Sequence, residues 1–442
     1  MGDRRPLRIG IIGAGLVGAT AAIALSRLEN VVVKAFERSP GPREEGAWIS
    51  FNVSGLSILD RLIDLDQIQQ ILYRGDSNGA YVSRHWRTGE ILALAHSSRH
   101  VAEKFTQART HRVPVLNVLL SNVPAGTIQY GRSVLGTEVT EDGVRVNFKD
   151  SEPETFDLVV AADGIYSKIR QQYLSAKVEF RGAVAYRKIF PESQVSHIRG
   201  LPNDTSVWRG NGGFMFLSRL GLGMYGVVAI VPESPEFAAT LKWARSVGSE
   251  GLQRLRQRFS NWDPIIDQVL QTMTDIDAYP LDSGPWMKEL VRDDRIAFVG
   301  DAAHPTAGAY GAGSAMGYAD CWALFRSLEQ SYKRPKPNAP SIVESPVPPH
   351  LYDLPRALRL YNETRRHFLG RVELQMALDR NESAYLAEAE DEEEWIRRFK
   401  ERHSNQIWLT EHDVEAEFQK TLAGEAHWLS QVEAAKGVKA HL

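Results

Sequence analysis

The chain has a single cysteine, Cys321, in 442 residues. That excludes an intramolecular disulfide framework and any cysteine-based zinc site, and it suits a reducing compartment. Strong charge of either sign is also missing: the formal net charge is -3 and the pI is near 6.5, with no basic stretch interleaved with aromatics. Nucleic acid is therefore not an expected partner. No apolar run approaches the length of a membrane span. The first strand-like run begins at Leu7, which leaves no space for the charged and apolar regions of a secretory signal. The start Met1-Gly2-Asp3-Arg4-Arg5-Pro6 lacks the Ser or Thr that N-myristoylation prefers. A cytoplasmic protein without a membrane partner is the expectation. There is no internal repeat, and the length allows one large core or two to three ordinary ones.

Glycine, in contrast, is placed with purpose near the start. An apolar run from Leu7 ends at Gly13, and the Ala/Leu-rich segment Leu16 to Leu28 follows at helical spacing, so Gly13, Gly15 and Gly18 fall in a strand-to-helix turn. Such a turn accepts a dinucleotide pyrophosphate. Gly13 lets the turn close, Gly15 lets backbone amides approach phosphate, and Gly18 lets helix and strand pack, with the helix N-terminus facing the anion. A second strand over Val31 to Phe36 leaves Glu37 at its carboxyl end, where a carboxylate accepts both ribose hydroxyls.

Further along, a helix is expected over Pro114 to Leu120. A hairpin follows, Val134 to Val139 and Val144 to Phe148, turning at Glu141-Asp142-Gly143. The continuously apolar run Asp157 to Ala161 reads as a strand buried on both faces. Ala183 to Lys188, Ser206 to Arg209, Gly213 to Ser218 and Met224 to Ile230 read as a separate antiparallel sheet, covered by helical periodicity over Phe237 to Leu270. A last buried strand, Arg295 to Val299, enters Gly300-Asp301-Ala302-Ala303-His304-Pro305, so the chain leaves the nucleotide-binding unit and re-enters it. A helix from Ser314 to Tyr332 precedes a linker, Lys333 to Pro349, whose six prolines forbid regular structure. The rest reads as helix. Its acidic run Glu388 to Glu394, with Arg397, Arg398 and Lys400, reads as a solvated helix surface.

Asp163-Gly164 and Gly300-Asp301 each follow a buried strand and open a helix, and either alone is also what a capped helix start looks like. Their order after GxGxxG resembles the single-component FAD-dependent aromatic hydroxylases, the flavoprotein monooxygenases that include salicylate hydroxylase and p-hydroxybenzoate hydroxylase. His111-Arg112-Val113-Pro114 is similar to the family's arginine-led helix, and Tyr361-Asn362-Glu363-Thr364-Arg365 to its late helix. The resemblance covers roughly residues 7 to 370. It implies an α/β fold: a Rossmann-type FAD-binding domain in three parts (1–72, 111–175 and 291–332), a substrate-side excursion (73–110), an inserted β-sheet substrate domain (176–290), the proline-rich linker (333–350) and C-terminal helices (351–442).

The resemblance also implies roles. Gly13, Gly15 and Gly18 cradle pyrophosphate, Glu37 takes the adenosine ribose, Arg38 lies over adenine, and Ala47 is a further cofactor contact. Arg112 forks onto phosphate and Asp301 accepts from the ribityl chain. Gly313 and Ser314 open a helix aimed at the flavin pyrimidine edge, and Asp163 serves the nicotinamide donor as well as the fold. Tyr310-Gly311 stands where the family has glutamine-glycine, a departure at the flavin-side contact. The implied chemistry reduces FAD with NAD(P)H, traps O2 as a C4a-hydroperoxide and hydroxylates an electron-rich phenolic ring, with fungal polyketide dearomatisation as one form. The partner is then a small aromatic substrate, and the protein a monomer or homodimer.

For the catalytic residues Tyr186-Arg187 is the conspicuous pair, with Tyr225, Trp208, Arg209, Phe214 and Phe216 as candidate walls. Arg187 resembles the arginine that dearomatising members use to hold a phenolate. Strand alternation puts Tyr186 and Arg187 on opposite faces, so at most one meets the ring. His85 has no evident partner, and His304 belongs to the Gly-Asp motif. A flavin oxidoreductase without oxygen insertion is the alternative. A halogenase is less consistent, since the expected Trp-x-Trp-x-Ile-Pro stretch and activating lysine are absent, and a non-catalytic nucleotide-binding protein is the third reading.

Overall fold

Leu7–Ile12 lies at the centre of a six-stranded sheet, and apart from Arg8 at its start it is buried on both faces. In the computed structural model, which describes residues 5–42, 47–76, 81–94, 101–210, 212–241, 245–333, 350–402 and 407–439, the order is Val291–Arg292, Ile296–Phe298, Leu158–Ala161, Leu7–Ile12, Val31–Glu37 and Ile128–Tyr130. All pairs are parallel except the first, the arrangement of a doubly wound nucleotide-binding sheet. Helix Leu16–Leu25 leaves the glycine turn and crosses the long buried helix Gly313–Gln330 closely enough that a Cβ on Gly317 would collide with Val17. The hairpin expected from sequence is present, as Val134–Thr140 and Gly143–Phe148, with Glu154–Phe156 as a third strand.

A second sheet has eight strands in the order Arg245–Ser246, Asp277–Ser283, Glu179–Pro191, Met224–Pro232, Gly213–Leu220, Thr205–Gly210, Tyr81–His85 and Ile91–Leu94. It is mixed rather than purely antiparallel, because Thr205–Gly210 pairs parallel with Tyr81–His85. The excursion 73–110 thus supplies its edge. The helical periodicity over Phe237 to Leu270 resolves into three helices, Pro235–Thr240, Gly248–Arg258 and Pro264–Thr272. A left-handed Gly248 and the cap Asp263-Pro264 divide them.

These helices pack on one face of the sheet through Leu252, Leu255, Ile266 and Leu270 against Val184, Met215 and Val227. The other face looks toward the first sheet. The chain ends in helices Leu354–Ala387, Glu392–Arg402, Ile407–Thr410 and Val414–Lys439. Most of the proline-rich linker, 334–349, lies outside the described residues. No described helix is long and apolar enough to cross a membrane.

Candidate functional site

Two connected cavities lie between the sheets. The smaller, about 690 Å³, opens over the glycine turn and is lined by Gly13, Gly15, Glu37, Arg38, Asp163 and Asp301 among others. The three glycines divide in their physical reasons. Gly13 has φ +97° and a Cβ there would press on the Ala162 carbonyl, while a Cβ on Gly18 would overlap the carbonyl oxygen of Gly13. Both serve the turn itself. At Gly15 the only atom among the described residues within reach of a Cβ is Arg112 Nη2, at 3.5 Å, so its missing side chain keeps open a cradle between the helix N-terminus and a guanidinium. Glu37 accepts the Ala14 and Ser39 amides, each at 3.0 Å, and so is fixed at the strand's carboxyl end. Arg38 is exposed beside it.

Ser167 caps the short helix Lys168–Gln171, and Asp163 supports its start: its Oδ2 accepts the Lys168 amide at 2.8 Å. Its Oδ1 is buried without a hydrogen-bond partner among the described residues, and burial raises its pKa. Arg170, two residues into that helix, went unassigned from sequence. It is buried and donates to the carbonyls of Asp301 at 2.7 Å, Ala302 at 3.0 Å and Ile165, tying the two acidic motifs together. The Asp301 carboxylate remains open to the cavity. Crowding by protein raises its pKa against the pull of His304, Arg170 and Arg112.

Behind it lies a fully buried network: Asp320 accepts from Gly300 N at 2.8 Å and from Arg365 Nε at 2.8 Å, and lies 2.6 Å from His304 Nε2. Burial pushes the Asp320 carboxyl up, but His304, Arg365 and the Gly300 amide together hold it below the usual range. His304 thus has a structural partner.

The larger cavity, about 880 Å³, shares Ala47, Arg112, Arg187, Leu281, Ala307 and Gly308 with the smaller one. Ala47 accepts the Arg112 amide at 3.1 Å, which docks the helix Arg112–Ser121 at the seam. Arg187 sits at the same seam on the open face of the large sheet, its guanidinium 5.0 Å from the Tyr279 ring centroid. Burial lowers its pKa, with Tyr279 opposing, and among the described residues no carboxylate lies within ion-pairing distance of it.

Alternation does separate Tyr186 from Arg187, and Tyr186 faces away from the cavity. It is buried against the helices and donates to Glu233 at 2.7 Å. Tyr225 and Trp208 face the same way, Trp208 donating to Asp263 at 2.8 Å. The expectation of catalytic roles for Tyr186 and Tyr225 is therefore corrected: both belong to the core. Arg209 and Phe216 do line the cavity, and Phe214 packs edge-on to Phe216 at 5.5 Å behind them.

Opposite the sheet, Ala307, Gly308, Tyr310 and Gly311 all have positive φ, so this loop is held in a conformation that non-glycine residues rarely adopt. It leads to Gly313 at the start of the long helix, and Ser314 lines the cavity. Tyr310 turns its hydroxyl to Asp379.

Sequence reasoning missed the remaining wall. Leu386, Phe399 and Lys400 from the C-terminal helices line the cavity, and Trp395 and Phe399 are buried against Leu92 of the sheet edge. The charged residues of that run, Glu388, Glu390, Glu393 and Arg397 among them, are exposed as read, while the helix that carries them docks through its apolar stripe. Glu392 lies 2.6 Å from Arg87 and 3.1 Å from His85, which gives His85 its partner.

A glycine cradle, a ribose-side carboxylate and a deeper apolar cavity suit a flavin dinucleotide, and comparison with known families decides the matter. The model for an FAD binding domain matches residues 7–338. The chain belongs to this family. This FAD-binding protein is 28% identical to the 6-hydroxynicotinate 3-monooxygenase of Bordetella bronchiseptica, over 83% of the chain and 89% of that relative. It is 26% identical to a salicylate hydroxylase of Pseudomonas putida, over 73% of the chain and 77% of that relative. Its fold matches that of a salicylate hydroxylase solved with substrate, with a TM-score of 0.75 at 22% identity, over 95% of this chain and 98% of the other.

Proposed function

We propose that this FAD-binding protein is a monooxygenase that hydroxylates an electron-rich phenolic ring, with NAD(P)H and O2 as co-substrates. Bound FAD supplies the reducing and oxygen-transfer chemistry; the protein binds, orients and excludes water. In this reading Gly15 admits the pyrophosphate to the helix N-terminus, with Arg112 as its cationic partner and Glu37 and Arg38 at the adenosine end. Ala47 packs at the seam. Asp301 accepts from the ribityl hydroxyls, and Asp163, already bonded to the Lys168 amide, borders the nicotinamide approach. The start of the helix at Gly313 and Ser314 lends partial positive charge where a reduced flavin is negative. The division into a three-part cofactor domain, an inserted sheet domain and C-terminal helices belongs to the same reading, as does a cytoplasmic location, which the buried free Cys321 supports.

The observation that carries the reading is Arg187. It lines both cavities, half-buried, with no carboxylate within ion-pairing distance among the described residues. A guanidinium so placed favours phenolate over phenol, and phenolate is the stronger nucleophile. A volume of about 880 Å³ in the larger cavity accommodates a flavin ring and a small aromatic together.

Screening salicylates, hydroxynicotinates, resorcinols and orsellinic-type aldehydes for stimulated NAD(P)H and O2 consumption tests this. A product heavier by one oxygen supports it. NAD(P)H oxidation without an oxygenated product would favour an oxidoreductase that inserts no oxygen.

A further inference from the structure

The strand Tyr81–His85 runs along the wall of the larger cavity far from Arg187. In the large sheet it lies four strands from Glu179–Pro191, roughly 19 Å away at the usual strand spacing. Alternation turns Val82 to the other side and leaves Tyr81 and Ser83 on one face, and both line the cavity. Ser50, from the short strand Trp48–Phe51, meets them there: its Oγ lies 2.9 Å from Tyr81 Oη. Two hydroxyls that share one bond use one of their two hydrogens. Whichever donates, the other hydrogen has no acceptor among the described residues. Ser83 is buried at the same wall, and its hydroxyl makes no hydrogen bond to a described residue. On the sheet side the group is bounded by Val207, which pairs with Ser83, and by Phe216, edge-on to Tyr81 with ring centroids 6.2 Å apart. Behind it lies Arg109, fully buried, opposite Ser50 in the ladder of Trp48–Phe51 with Ala108–His111 and 4.7 Å from the Tyr81 ring centroid. Its charge favours an occupant that brings lone pairs over one that brings another donor.

We propose that Ser50, Tyr81 and Ser83 form a second recognition point for the substrate, one that takes a carbonyl oxygen carried on a side chain remote from the phenol. The inference rests on the function proposed above, with the phenol at Arg187. Two anchors so far apart along the sheet select a ring with an extended, carbonyl-bearing substituent over a bare phenol. The three hydroxyls are neutral and supply donors, which suits a ketone, ester or amide oxygen: a neutral acceptor loses less on leaving water than a carboxylate does. A hydrocarbon chain in the same place leaves the hydroxyls unpaired, which costs binding. These residues position the substrate and take no part in oxygen transfer. The flavin ring is the competing occupant, because a Cβ on Gly311 would lie 3.4 Å from Tyr81 Oη and 3.6 Å from Ser50 Oγ, which puts the pair beside the loop that leads to Gly313.

The test uses the FAD-loaded parent, Tyr81→Phe, Ser50→Ala and Ser83→Ala with a series of para-substituted phenols that carry a ketone in the side chain, each beside its methylene counterpart. For at least one ketone phenol the parent's KM is roughly tenfold lower than for the counterpart. In each variant that ratio falls towards one, the change lies in KM rather than kcat, and FAD affinity stays at the parental level. A parent that takes ketone and methylene phenols alike, or variants that keep the parental ratio, overturn the subsite alone. So does a loss of FAD affinity with the ratio intact, which assigns the hydroxyls to the flavin. If Tyr81→Phe or Ser50→Ala fails to fold, Ser83→Ala decides, since it removes no hydrogen bond among the described residues. Absence of any hydroxylated phenol overturns the function itself, and the subsite with it.

Discussion

Replacing Arg187 by alanine removes a half-buried cation from the seam between the two cavities while leaving the fold nearly untouched. The side chain makes a cation–π contact with Tyr279 at 5.0 Å, worth about 0.5–2 kcal/mol. Against that, partial burial disfavours the guanidinium's charge, and truncation relieves that cost. The net effect on stability is small, and FAD content stays at the parental level.

The catalytic effect is not small. If Arg187 holds the substrate as phenolate, the variant leaves a buried anion unpaired, at a cost of about 2–5 kcal/mol. This corresponds to a loss of roughly 30- to several-thousandfold in kcat/KM. Arg187→Lys recovers part of it, because a point charge replaces a planar fork. Steady-state kinetics with parallel hydrogen peroxide detection reads both rate and coupling, and uncoupling rises as the ring loses its fixed position. An Arg187→Ala protein that hydroxylates at the parent rate with unchanged coupling refutes the reasoning.

Gly15→Val folds but purifies without flavin absorbance, since the new side chain enters the cradle beside Arg112. Gly18→Val fails to fold, its Cβ falling on the Gly13 carbonyl; circular dichroism and absorbance near 450 nm separate the two. Asp320→Asn strips the buried Arg365 of its counter-charge, costs about 3–5 kcal/mol in urea unfolding, and loosens the Gly300–Asp301 turn, so FAD affinity falls with stability. His412, stacked on Phe368 at 3.7 Å, has its pKa pushed down to about 3 by burial and by Arg365 and Lys420. The unfolded chain therefore binds a proton there between about pH 6.5 and 3 that the folded chain does not. Its contribution is a stability loss as pH falls through that window, by at most about 1.4 kcal/mol per unit; His412→Gln flattens this slope in thermal melts from pH 7 to 4.

The fold was legible where periodicity is strong. Leu158–Ala161 is apolar throughout, and Leu7–Ile12 is so apart from Arg8, because both faces are covered, whereas Glu179–Pro191 mixes polar and apolar residues because only one face meets helices. That alternation separates Tyr186 from Arg187 but does not say which side faces the cavity. The answer depends on where helices Gly248–Arg258 and Pro264–Thr272 dock, which is a matter of tertiary packing. The same choice sent Tyr225 to the core.

The C-terminal wall was missed because its contacts join residues some 300 apart, such as Leu92 with Phe399, and because charges dominate Glu388 to Lys400. The signal available was the stripe Trp395, Ile396 and Phe399 at helical spacing within that charged run. Arg170 was hidden for a similar reason: a basic residue after an Asp-Gly turn reads as solvated until its carbonyl partners are seen.

The central claim is that this chain inserts one atom of dioxygen into a phenolic ring held at Arg187. Turnover of the FAD-loaded enzyme under ¹⁸O2 with NAD(P)H and its best phenol, followed by mass spectrometry of the product, tests it most directly. The account predicts one ¹⁸O per product molecule in the parent and a strongly reduced labelled yield, with peroxide in its place, in Arg187→Ala. A product carrying oxygen only from water, or NAD(P)H oxidation with no labelled product, would contradict it.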